Sequence, residues 1–92
     1  MAADPVAFDA GAPWRVHPEV SLRDEEFGAL AYHHGSRRLV FLTSAPLAEV
    51  VRQLEHFDSA RSAVNAMVAP ADRDRYVRAL AALAVGGILC GR

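Results

Sequence analysis

The chain has 92 residues, a formal net charge of −1, a hydrophobic fraction of 52% and a single cysteine. That length fits one domain, and no apolar run reaches the roughly 18 residues that span a bilayer. A lone Cys90 excludes an intrachain disulfide and a cysteine metal cluster, and the near-neutral balance lacks the basic face of a general nucleic-acid binder.

Residues 1–13 hold Pro5, Gly11 and Pro13 among several alanines. They read as a flexible N-terminal segment ahead of a folded domain over 14–92. The run MAADPVAFDAGAPW has neither a basic region nor an apolar core, so a secretory signal is not expected. With the solitary thiol, that fits a reducing cytoplasm.

Residues 14–22, WRVHPEVSL, alternate loosely through Trp14, Val16, Val20 and Leu22. Pro18 removes a ladder donor, so the segment reads as an edge strand or a strand with an irregular middle. Residues 27–34 and 37–43 then form a hairpin about Gly35-Ser36, a Gly-X connection that favours a II′ turn. In that register His33 faces Arg38, Tyr32 faces Leu39 and Leu30 faces Phe41. The pairing predicts Leu30, Tyr32, Leu39 and Phe41 on the core face, and Ala31, His33, Arg38 and Val40 on the other.

Ser44 is a good N-cap, and Pro46 suits the first helical turn. Leu47, Val50, Val51, Leu54 and Phe57 follow at helical spacing. Asp58 and Ser59 offer the cap of a short second helix carrying Val64, Met67 and Val68, which Pro70 ends. Asp72 or Ala71 opens a third helix, whose apolar stripe is Tyr76, Val77, Leu80, Leu83 and Ala84. Gly86-Gly87 stops it in a left-handed cap with Ile88 packing back, and Ile88-Leu89-Cys90 end as a short extended piece. Strands segregated from helices predict an α+β fold. Its three-stranded antiparallel sheet is followed by three helices in a winged helix-turn-helix-like order.

Nothing in the chain assembles a catalytic or metal centre. His33 and His34 are neighbours on a strand, point to opposite faces and cannot chelate one ion together. Gly86-Gly87 closes a helix rather than opening one, so it presents no amide cradle to phosphate. Ser44, Ser59 and Ser62 sit at helix starts, where capping accounts for them. A winged-helix DNA-binding regulator would want basic residues on its second or third helix. Here the second helix carries only Arg61, and Asp72 and Asp74 interleave with Arg73, Arg75 and Arg78. These three arginines read either as solvating charges or as docking points for acidic peptide side chains. Tyr76 reads as core or as a ligand contact. The hairpin edge offers the remaining chemistry, because a short sheet with an open edge beside helices can bind a peptide by adding a strand.

The runs RVHPEVSLR, FGALAYHHGSRRLVFL and YVRALAALA resemble the small chaperones of mycofactocin biosynthesis. These belong to the precursor-peptide recognition elements of ribosomal peptide pathways, as does the chaperone of pyrroloquinoline quinone biosynthesis. The resemblance covers residues 14–90 and implies a non-catalytic role that needs no cofactor. It implies two partners: the leader of a precursor peptide, and a radical S-adenosylmethionine maturase to which the peptide is presented. Neither nucleic acid nor membrane is an implied partner, and the free edge also invites homodimer pairing. In the family the leader adds a strand to the third strand of the sheet and packs against the third helix. Placed on this chain, the implied strand edge is Arg37, Arg38, Leu39, Val40, Phe41, Leu42 and Thr43. The implied groove wall is Arg73, Arg75, Tyr76, Ala79 and Leu80.

Overall fold

Pro18 divides the first extended run into two strands that join different sheets. The computed structural model describes residues 8–92. β1 (Trp14–Val16) pairs antiparallel with β5 (Leu89–Gly91), so the two ends of the domain close on each other. β2 (Val20–Glu25), β3 (Gly28–His33) and β4 (Arg38–Leu42) form an antiparallel meander in that order, which leaves β4 at an edge. The irregular middle that Pro18 suggested is therefore a full break between two strands. Val20 N–H donates to the His17 carbonyl at 2.9 Å, and the chain turns there instead of running on.

The hairpin keeps the expected register, with His33 opposite Arg38 and Leu30 opposite Phe41. Its turn is different. Four residues, His34–Arg37, connect the strands, and the left-handed residue is Arg37 at φ 62°, not Gly35. The His33 ring accounts for this: its Nδ1 accepts from the Gly35 and Ser36 N–H groups, both at 3.1 Å, and holds the wider turn.

The faces of this hairpin are reversed from the sequence expectation. Ala29, Ala31 and Leu42 are buried against the helices, while Leu39 is 53% and Phe41 60% exposed. Both faces carry apolar side chains, Leu30, Leu39 and Phe41 on one and Ala29, Ala31, Val40 and Leu42 on the other, so alternation alone does not choose between them. The choice belongs to α1 (Ala45–Gln53), which packs Ala48, Val50 and Val51 toward β3. Alanines at 29 and 31 let a helix come close to the sheet, and the bulkier set is left outside.

Three helices complete the second layer. α1 begins at Ser44, whose Oγ accepts from Leu47 N–H at 3.2 Å, with Pro46 in the first turn. A short 3-10 turn, Leu54–His56, follows it. α2 (Ala60–Met67) opens with a Ser59–Ser62 capping box. A second 3-10 turn, Pro70–Asp72, leads into α3 (Arg73–Val85). The end of α3 is a Schellman motif: Gly87 lies at φ 82°, Ile88 N–H donates to the Leu83 carbonyl and Gly87 N–H to Ala84. Leu42, Leu54, Leu80, Ile88, Val50, Val51 and Val64 are the largest fully buried side chains and form one continuous core. Each such burial stabilises by about 1.5–3 kcal/mol.

Of the 1–13 segment read from sequence as flexible, residues 8–13 pack on the domain, and residues 1–7 lie outside the described residues. Ala60 N–H donates to the Ala12 carbonyl and Arg61 N–H to Ala10, so this segment satisfies orphan donors at the start of α2. Phe8 stacks on Trp14 at 4.8 Å, and Trp14 Nε1 donates to the Asp9 carbonyl.

Candidate functional site

β4 is the last strand of its sheet, and among the described residues no backbone group pairs with its outer edge. Beside that edge lies an apolar cleft of about 260 Å³. Its walls are Thr43 and Ser44 after β4, Leu47 on α1, and Arg75, Tyr76 and Ala79 on α3. The floor follows from chain connectivity. β4 runs directly into the Ser44 cap, so the first turn of α1 must sit at the strand's end.

α3 runs antiparallel to β4 along this side. Its start meets Thr43, and its end meets Arg38, whose guanidinium would lie 3.2 Å from a Cβ added at Gly86. Tyr76, Ala79, Ala82 and Gly86 recur at helical spacing along one stripe. Small residues there keep the wall low, so an extended backbone can lie between helix and strand.

Charge is placed at both ends. Arg75 donates to Asp72 Oδ1 at 2.8 Å, and its guanidinium lies 5.8 Å from the Tyr76 ring centroid. Exposed pairs of this kind are weak and leave the guanidinium free to take a second carboxylate. Arg38 has no acidic partner among the described residues. The cleft thus carries one cation, Arg75, on its wall, and Arg38 stands at the opposite end of β4, beside the last turn of α3.

The residues singled out from sequence divide cleanly by position. Arg38, Leu39, Val40, Phe41 and Leu42 make up the edge strand, with Arg37 in the turn before it and Thr43 just after it. Arg75, Tyr76, Ala79 and Thr43 line the cleft. Leu42 and Leu80 are buried in the core, so Leu42 offers only backbone and Leu80 shapes the wall from behind. Arg73 faces away: its Nε donates to the Val68 carbonyl at 2.9 Å and its Nη2 to the Asn65 carbonyl at 3.0 Å. It caps the last turn of α2, where a cation also meets the helix dipole favourably. Ser44 and Leu47 read from sequence as a helix cap and a helix-stripe residue, not as parts of a binding site. The signal was present, since a helix that starts one residue after an edge strand places its first turn against that edge.

The histidines are tied into turns. His17 Nδ1 accepts from Glu19 N–H at 3.0 Å, and the His17 and His33 rings lie 4.5 Å apart. Ser21 Oγ and His34 Nε2 lie 2.7 Å apart on the other face. Among the described residues no group of three or more metal-ligating side chains converges.

Comparison with known proteins adds four findings. A model of the peptide chaperone MftB family matches residues 13–90. The peptide chaperone MftB of Mycobacterium tuberculosis is 43% identical over 91 residues, covering 98% of this chain and 84% of the relative. That of Mycolicibacterium smegmatis is 41% identical over 90 residues, covering 97% and 88%. Among solved structures, a lasso peptide synthetase B1 complexed with the leader peptide superposes with a TM-score of 0.63 at 22% identity. That match covers 86% of this chain and 99% of the other, and it establishes the shared fold.

Proposed function

From the premise that this chain belongs to the peptide chaperone MftB family, we propose that it binds the leader of the mycofactocin precursor peptide along the open edge of β4. The bound peptide is held for a radical S-adenosylmethionine maturase in the cytoplasm, and this chain does no chemistry itself. The observation that carries the reading is the unpaired edge of β4 beside the cleft of Leu47, Tyr76 and Ala79.

The mechanism is strand addition. The leader pairs its backbone with β4, which supplies hydrogen bonds with little demand on sequence. Alternate side chains enter the cleft, where an apolar anchor is buried against Leu47 and Tyr76. A disordered segment pays about 2–5 kcal/mol to order on binding, so the anchor and the backbone ladder together must exceed that. Arg38 and Arg75 steer an acidic leader and fix its position along the strand.

Calorimetric titration with the leader half of the precursor tests the reading. Saturable one-to-one binding with a negative heat-capacity change is expected. A correctly folded chain that binds neither the leader alone nor the leader in the maturase's presence would refute it. The core half of the precursor serves as the comparison and is expected not to bind.

A further inference from the structure

A second apolar depression lies on the opposite face of the same strand. It has a volume of about 260 Å³ and is lined by Phe27, Phe41 and Thr43. Phe41 is 60% exposed and Phe27 43%, and their rings meet edge to face at 5.8 Å. Leu39, also on this face, lies one pleat repeat along the strand from Phe41. Thr43 lines both this depression and the cleft, so the two flank the end of β4 at one level on opposite sides of the sheet.

An extended peptide beside β4 sends successive side chains to opposite faces. Its side chains on the outer face lie next to Phe41 and Leu39, within the reach of same-face neighbours on adjacent strands. A peptide that filled only the cleft would leave these aromatic surfaces in water. Taking leader binding along β4 as proposed above, we infer that the outer face of β4 is a second specificity site. It accepts an apolar or aromatic leader side chain on Phe27 and Phe41. Because the two depressions lie on opposite faces, the two leader anchors are separated by an odd number of positions, one or three. The molecule therefore reads a two-sided pattern and rejects a leader whose apolar residues all fall on one face.

The test pairs Phe41→Thr and Phe27→Ser with a set of leader peptides, each carrying one alanine substitution. Both variants change exposed side chains, and circular dichroism checks that they fold. Phe41→Thr is expected to weaken leader binding about tenfold or more, as loss of a buried aromatic anchor does. The peptide series is expected to show two sensitive apolar positions an odd number of residues apart. Alanine at the outer anchor should cost little further affinity in Phe41→Thr, while alanine at the cleft anchor should keep its full effect. Wild-type affinity in both variants, or sensitive positions separated by an even number, overturns the inference while leaving leader binding intact. A dimer lost in Phe41→Thr with leader affinity unchanged would assign this face to a second copy and overturn it too. Failure of the wild-type chain to bind any leader removes the underlying reading, and the inference with it.

Discussion

Gly28 has a backbone no other residue fits, at φ 148°, where an added Cβ would collide with the Leu42 carbonyl oxygen. The collision is with backbone of the paired strand, so the neighbour cannot rotate away. Gly28→Ala is expected to lose about 2 kcal/mol or more, read as a lower urea midpoint. Gly91 meets nothing within 4 Å of an added Cβ, so Gly91→Ala is expected to stay within about 0.5 kcal/mol of the parent. Arg38 makes the residue-scale prediction on binding. Without an acidic partner of its own, it is available to a leader carboxylate. Arg38→Glu is expected to weaken an acidic leader about fivefold or more at low salt, with the gap narrowing as salt rises. Titration at several ionic strengths checks it, and equal affinities throughout would remove the electrostatic component.

At the scale of elements, the α2–α3 junction and the β4 edge separate stability from binding. In the sequence Arg73 reads as a solvating charge or a docking point, and the resemblance implies for it a place in the groove wall. In the fold it reaches back to the Val68 and Asn65 carbonyls. Arg73→Ala is expected to cost about 1–2 kcal/mol of stability through lost carbonyl partners. Leader affinity should be unchanged under folding conditions, and calorimetry with chemical denaturation on the same sample separates the two effects. The edge strand makes the reverse prediction. A leader with N-methyl groups at alternate positions of the paired segment loses its ladder donors. It should bind at least tenfold more weakly, while a leader methylated at the intervening positions should not. Equal binding by both would exclude strand addition.

For the whole molecule, closure is made by its two ends. β1 and β5 pair with each other, and Arg92 donates to the Phe57 carbonyl at 2.7 Å. The meander is thereby left to one side with its last strand open. An open edge also suits self-pairing, so leader and second copy would compete for β4. Size-exclusion chromatography at rising concentration is expected to show any dimer dissolve as leader is added. A dimer that persists in saturating leader would place the self-contact elsewhere.

Much of this arrangement is local and so readable from residues alone. Ser44 and Pro46 mark a helix start, Ser59 a second, and Gly86-Gly87 an end, because capping is decided within a turn of chain. The strand register about 33–38 follows from a short connection. The edge strand and the cleft residues Arg75, Tyr76 and Ala79 were named from a family resemblance that supplied the missing long-range placement. Three features came only from the tertiary structure. The sheet face was settled by how closely α1 packs on Ala29 and Ala31, since both alternating sets contain apolar side chains. The break at Pro18 was settled by β5, a partner more than seventy residues away in the chain. The exposure of Phe27 and Phe41 followed from the same choice of face. It placed an aromatic surface on the open side of the strand proposed to receive the peptide, because helices cover a sheet from the side where small residues let them come near.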